Sequence, residues 1–315
     1  MARSVTSMDP TTIRRSSEGA SATGKVRAAL RGMAEVRGPH EAAEPILAPN
    51  ARAAVFEWLA ELRAEAELKA VGLRPRATAL LHGPPGCGKT TLAHHLAARL
   101  GIPMVLVGSE AINSSAYFGE AERGVAKLFD ALAGCDTPCV VFMDEMEGWG
   151  GKRDQNTRGG ADNARTSVLG VILRRIEEFR GVLMGATNRP QDIDPALWRR
   201  FGMQIAIDLP GDEERFAILR RYLHPFTLPE DAIDVMVDIT VGASPALLEG
   251  IALGVKRALV LGPRLGRDIA SARAVFGPIV AALHPPPEMQ PPPLWGDRTA
   301  MDALDDLPWP PERPG

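Results

Sequence analysis

The octapeptide GPPGCGKT, Gly83 to Thr90, fits the pattern G-x-x-x-x-G-K-[ST] and follows a short apolar run. Its glycines let backbone N–H groups turn inward around phosphate oxygens, because no Cβ atom obstructs them. Lys89 is placed to neutralise charge on the β- and γ-phosphates of a nucleotide, and the Thr90 hydroxyl to ligate Mg²⁺. The predicted phosphate-binding residues are Gly83, Pro84, Pro85, Gly86, Cys87, Gly88, Lys89, Thr90 and Thr91.

A second candidate for chemistry is the pair of carboxylates that ends the run VVFMDE. Asp144 fits as the metal-side carboxylate, and Glu145 is placed to orient and deprotonate an attacking water. An apolar strand that simply ends in two solvated acids is the structural alternative. The position of the pair downstream of a phosphate loop favours the catalytic interpretation.

A third candidate is Asn188 in the stretch GATNRP. An asparagine before a proline is often only a turn former. After a phosphate loop and a carboxylate pair, however, we expect Asn188 to stand beside the γ-phosphate and hold the attacking water.

These residues need a scaffold that delivers them to one edge. Short apolar runs that read as strands alternate with helical segments; the runs are 77–82, 103–108, 139–144, 181–186 and 203–208. Apolar strands separated by helices predict a doubly wound α/β core with a five-stranded parallel sheet, buried on both faces. Ligands bind at the carboxyl edge of such sheets.

The chain divides by composition into four parts. We expect an α/β core over 45–210, followed by a small all-helical lid domain over 211–284. Residues 1–44 are basic and read as a disordered arm, with an organellar transit peptide as the alternative. Residues 285–315 hold ten of the 27 prolines and an excess of acids, and are expected to form an extended, disordered tail.

Composition narrows the function classes. The net charge of −3 gives no global basic field, so nucleic acid is not expected as a partner. Three cysteines without paired spacing favour a reducing compartment, which suggests the cytoplasm. No apolar run approaches the length of a membrane span, so no membrane partner is expected.

With its three motifs in this order, the chain resembles the AAA family of ATPases from about Ile46 to Val260. The most specific part is GATNRPQDIDPALWRRF. The resemblance implies ATP as the nucleotide, Mg²⁺ as the metal and a homo-oligomeric, hexameric ring. It also makes Arg200 the finger that reaches a neighbouring subunit's γ-phosphate. Arg199 resembles the paired arginine of katanin and spastin, while Met203 stands where many relatives carry the second finger.

Further roles follow from the same resemblance. Ile218, Tyr222 and Ala246 match positions in the lid that line the adenine pocket. In AYFGEAE, Tyr117 and Phe118 resemble an aromatic pore loop that grips substrate. The alternative is that one of the pair packs inward beneath the loop.

Three function classes remain after these steps. The first is an ATP-driven ring that remodels or unfolds polypeptides through a central pore, with a separate adaptor or protease as partner. The second is a nucleic-acid motor or loader, which should carry a basic stripe that the predicted domains lack. The third is an ATP-binding switch with slow turnover, which the complete set of catalytic candidates disfavours.

Overall fold

The computed structural model describes residues 17–108, 120–150 and 160–312. At its centre lies one sheet with the strand order β1-β3-β4-β5-β2-β6. The strands are β1 (Glu35–Arg37), β2 (Thr78–His82), β3 (Met104–Val107), β4 (Val140–Met143), β5 (Val182–Thr187) and β6 (Met203–Ala206). The five predicted parallel strands are confirmed, and β1 adds an antiparallel sixth strand at one edge.

Both faces of the sheet are covered, which explains why its strands are apolar throughout. Every residue of β4 is buried. One face packs against Leu128 and Ile172, and the other against Trp58 and Leu92. The helices described in this layer are α1 (Ser17–Ala29), α2 (Pro49–Arg63), α3 (Glu65–Ala70), α4 (Lys89–Leu100), α5 (Glu120–Ala133), α6 (Met146–Gly150), α7 (Gly160–Glu178) and α8 (Pro195–Trp198).

After β6 the described chain is helical, apart from an isolated bridge between Thr227 and Glu312. Its helices are α9 (Asp212–Leu223), α10 (Glu230–Ile239), α11 (Pro245–Leu261), α12 (Ala272–Ala282), α13 (Pro293–Gly296) and α14 (Arg298–Asp302). They share a second apolar cluster in which Leu219, Met236 and Ile251 are fully buried. We call this helical unit, residues 211–312, the lid. Across the described ranges, none of the helices has the length and apolar character needed to cross a membrane.

The expectation of a disordered arm over residues 1–44 is wrong for the part that the structure describes. Val26 of α1 and the adjoining Leu30 are buried against the core. β1 pairs with β3, and Arg27 donates a hydrogen bond of 3.0 Å to the Val36 carbonyl. The basic composition hid a few apolar residues that are enough to anchor a helix and an edge strand.

The expectation of an extended tail over residues 285–315 is also wrong for residues 285–312. Leu294, Leu304 and Leu307 are buried in the lid cluster. The Trp309 indole N–H donates to the Ile269 carbonyl at 2.8 Å, and Arg273 pairs with two aspartates of this segment. Prolines prevent long helices here but leave large apolar side chains free to pack, so the segment covers the lid.

Candidate nucleotide site

Three glycines give the loop after β2 its shape. Gly83, Gly86 and Gly88 have φ angles of 145°, 74° and 83°. A Cβ at Gly83 would lie 2.1 Å from the Ile207 carbonyl oxygen, so only glycine fits there. Gly88 is the N-cap of α4, whose first N–H groups and dipole face the loop. The backbone therefore forms an anion cradle at the carboxyl edge of β2.

Lys89 is held inside this cradle. Its side chain is buried, and Nζ donates to the carbonyls of Gly83 and Pro84 at 2.8 Å each. Burial lowers the pKa of Lys89, while the charges of Asp144 and Glu147 act in the opposite direction. The loop carbonyls thus fix the position of the Lys89 ammonium group, which can also donate a hydrogen bond to a phosphate.

Thr90 and Asp144 form the second part of the site. The Thr90 hydroxyl lies 3.3 Å from Asp144 Oδ2. Burial raises the pKa of Asp144, whereas hydrogen bonds from Thr90 and from the Glu145 N–H oppose that rise. Two hard oxygens at the edge of a phosphate cradle fit Mg²⁺, which keeps several waters and uses few protein ligands beside phosphates.

Glu145 stands in an unusual backbone conformation. Its φ is 51°, the one positive value among the described non-glycine residues. The turn is held by hydrogen bonds on both sides of Asp144: Oδ1 accepts from the Glu145 N–H at 2.9 Å, and the carbonyl accepts from the Trp149 indole at 2.8 Å. Such strain persists only where surrounding contacts impose it. Here it exposes the Glu145 side chain beside the half-buried carboxylate of Asp144.

A cavity of about 340 Å³ joins the core to the lid. Its lining includes Gly86, Cys87, Gly88, Lys89, Thr90, Thr91, Asp144, Asn188, Ile218, Tyr222 and Ala246. The tertiary structure therefore brings predicted phosphate, metal and lid residues to one place. Four predicted site residues are outside the lining: Gly83, Pro84, Pro85 and Glu145. The carbonyls of the first two accept the hydrogen bonds from Lys89 Nζ.

The lid touches the phosphate loop directly. The Ala246 N–H donates to the Gly86 carbonyl at 3.1 Å, at the start of α11. Ser244 caps that helix by accepting from the Leu247 N–H at 3.3 Å.

Burial raises the pKa of Cys87 to about 11, so its thiol stays protonated at neutral pH. The sulfur packs in the core, and the backbone of the loop faces the cavity.

Asn188 follows β5 and lies next to the cradle. Gly83 donates to the Thr187 carbonyl at 3.3 Å, and the Thr187 hydroxyl accepts from the Arg189 N–H at 3.0 Å. These bonds fix the end of β5 beside the phosphate loop. Asn188 itself is exposed and lines the cavity.

Arg199 and Arg200 lie elsewhere. Both are exposed at the end of α8, outside the cavity lining. Arg200 Nε is 2.7 Å from a carboxylate oxygen of Glu177 at the end of α7. The chain therefore does not bring these arginines to its own cradle. Tyr117 and Phe118 fall outside the described residues.

The structure adds site residues that the sequence motifs did not single out. Glu147 is half-buried near Lys89, and its Oε2 atom is buried without a hydrogen-bond partner in the described structure. Glu249, Arg221 and the segment 43–46 line the cavity, whereas Glu147 is outside its lining. Glu147 could have been predicted from the sequence, because it is the third acidic residue of the stretch DEMEG that begins with Asp144. The others lie far from the phosphate loop in sequence, and no motif marked them.

Comparison with known proteins points to one family. Residues 79–209 match the model of the "ATPase family associated with various cellular activities (AAA)". A proteasome-activating nucleotidase of Pyrococcus abyssi is 39% identical over 189 residues, 58% of this chain and 47% of that protein. One from Thermococcus gammatolerans is 36% identical over 209 residues, 62% and 52% respectively. This chain thus spans about half the length of these curated relatives.

A relative with a different name also matches this chain. The nuclear valosin-containing protein-like protein of Mus musculus is 34% identical over 185 residues, which are 56% of this chain and 21% of that protein.

Proposed function

We propose that this chain, which carries an AAA ATPase domain over residues 79–209, hydrolyses ATP in a ring that unfolds or remodels polypeptides. The observation that carries the proposal is the cavity between core and lid. One end holds Lys89, Thr90 and Asp144, and the other end holds the lid residues Ile218 and Tyr222. A nucleoside triphosphate is complementary to this arrangement, because its phosphates form an anionic end and its base a largely apolar one.

The core residues have distinct roles in this proposal. Lys89 and the loop N–H groups bind the phosphates, and Thr90 with Asp144 would hold Mg²⁺, which neutralises charge on the triphosphate when bound. Glu145 accepts a proton from the attacking water, and Asn188 orients that water. Positioning and charge stabilisation are the main contributions to phosphoryl transfer, so a scaffold that fixes these groups supplies much of the catalysis.

The lid would convert the nucleotide state into movement. The hydrogen bond between Ala246 and Gly86 joins the start of α11 to the phosphate loop. A change in the phosphates therefore acts on a backbone contact that sets the angle between lid and core. Such closure around a ligand is a common form of conformational change.

The exposed arginines support a ring. An arginine supplied in trans is worth about 10³–10⁵-fold in related phosphoryl transfers. Arg200 is exposed on the surface, and exposed ion pairs such as that with Glu177 contribute only about 0–1 kcal/mol. Arg200 can therefore leave Glu177 for a neighbour's γ-phosphate, with Arg199 as the second finger in a hexamer.

The substrate class rests on similarity. The matched relatives named above include proteasome-activating nucleotidases, so a polypeptide substrate and a separate protease or adaptor fit this chain. Tyr117 and Phe118 would contact the polypeptide in the pore.

The test is ATP-dependent unfolding of a fluorescent protein that carries an unstructured tag. The full chain should unfold it with Mg-ATP, whereas Glu145→Gln should bind ATP and hydrolyse it about 10²–10⁴-fold more slowly. Tyr117→Ala should continue to hydrolyse ATP without unfolding the substrate. Glu67→Gln, on the exposed face of α3, is the control. Hydrolysis that DNA stimulates and polypeptide does not would support the nucleic-acid class instead.

A further inference from the structure

The lid side of the cavity combines apolar walls with charged side chains. Ile46, Ile218 and Ala246 supply apolar surface there, and Glu249 of α11 lines the same cavity. Glu249 is half-buried. A carboxylate retained against apolar walls loses hydration, and this loss is compensated only if hydrogen-bond donors reach it.

One donor comes from the protein itself. Tyr222 of α9 lines the cavity beside Glu249. Burial raises the pKa of Tyr222, and the charge of Glu249 and their hydrogen bond raise it further. The phenol therefore stays protonated and donates to the carboxylate. An ionised carboxylate has about four acceptor sites, so capacity for a further donor remains.

The other charged groups around this end, Arg221 and Glu44, have interactions of their own. Arg221 Nη1 donates to the Glu44 carbonyl at 2.6 Å. The Glu44 side chain is exposed, and its charge acts on His95 of α4. Of the two glutamates in the described lining, Glu249 is the one paired with a residue of the lid pocket.

We propose that Glu249 reads the nucleotide base by accepting a hydrogen bond from the exocyclic 6-amino group of adenine. A base with a carbonyl at that position would turn an acceptor toward the carboxylate, which is repulsive. Tyr222 orients the carboxylate by occupying one of its acceptor sites. This inference rests on the proposed function, because it assumes that the triphosphate end lies on the phosphate loop.

The test compares ATP with purine riboside 5′-triphosphate, which lacks only the 6-amino group. Affinities are measured by calorimetry with Mg²⁺ in the full-length Glu145→Gln protein, so that turnover does not interfere. ATP should bind about tenfold more tightly than the analogue, as expected for one hydrogen bond to a charged group. Adding Glu249→Ala should weaken ATP binding by about tenfold and leave the analogue unchanged.

Two further variants make the result specific. Glu249→Gln retains a carbonyl acceptor and should keep part of the preference for ATP, which also guards against a folding defect in the alanine variant. Glu213→Ala removes an exposed glutamate from α9 and should leave the ratio of the two affinities unchanged.

The outcomes separate this inference from the function it rests on. If Glu249→Ala weakens both triphosphates equally, Glu249 only braces the lid helices and the inference is overturned. If the ratio is the same with and without Glu249, the base is read elsewhere and the inference is again overturned. If the parent protein binds neither triphosphate, the proposed nucleotide site itself fails.

Discussion

The two walls of the cavity are built in different ways. The core wall contains a run of consecutive residues, Gly86 to Thr91, together with Asp144 and Asn188, and presents backbone N–H groups and one buried lysine to a ligand. The lid wall is assembled from side chains on two helices, including Ile218 and Glu249. The difference suggests that the core wall supplies most of the binding free energy and the lid wall adjusts selectivity.

The largest effect should come from the charge in the core wall. Lys89→Ala removes the buried cation that the loop carbonyls hold, so nucleotide binding should fall below detection, a loss of at least about 100-fold. Calorimetric titration with Mg-ATP measures it. Lys69→Ala removes an exposed lysine from α3 and should change the affinity little. Near-normal affinity in Lys89→Ala would contradict the assignment of the core wall.

The second-largest effect should come from Arg200, the arginine that a neighbouring subunit is proposed to supply to the nucleotide. Arg200→Ala should leave ATP affinity close to normal and lower kcat by about 10³-fold or more. Arg174→Ala, another exposed arginine with a glutamate partner, should keep normal turnover. Mixing inactive Arg200→Ala and Lys89→Ala proteins should restore activity, since the second can supply a finger to the first. No recovery at any mixing ratio would argue against a role in trans.

The junction of the walls can be tested at Gly86. Its φ is 74°, and an added Cβ would lie 2.9 Å from Ser244 Oγ of the lid. Gly101 has the same φ with no atom near such a Cβ, so it isolates the backbone strain. Both alanine variants should lose about 1–2 kcal/mol of unfolding free energy. Only Gly86→Ala should also weaken ATP binding, by about tenfold. If Gly86→Ala and Gly101→Ala bound ATP with equal affinity, the contact between Gly86 and the lid would not matter for binding.

The smallest effect should come from the apolar part of the lid wall. Ile218 and Ile233 are both buried in the lid cluster, and only the first lines the cavity. Valine at either position should lower the unfolding free energy by about 1 kcal/mol, as measured with urea. Ile218→Val should also reduce ATP affinity by about two- to threefold. If Ile218→Val lost more ATP affinity than Gly86→Ala, the apolar part of the lid wall would matter more for binding than the junction of the two walls.

Local pattern predicted the central scaffold well. The five parallel strands were readable because strands buried on both faces are continuous apolar runs, such as the one before Asp144. The ends of the chain were misread, since composition over forty residues outweighed single anchors such as Val26 and Leu304. Average charge or proline content does not reveal where a few apolar side chains find a surface to cover.

By itself the sequence determined the phosphate loop, the carboxylate pair and the α/β order, because these depend on consecutive residues and on local periodicity. Only the tertiary structure decided that Ala246 touches Gly86, that Glu249 faces the same cavity as Lys89, and that Arg200 does not. Those relations join residues far apart in the chain. They are set by how the lid packs against the sheet, which no local pattern encodes.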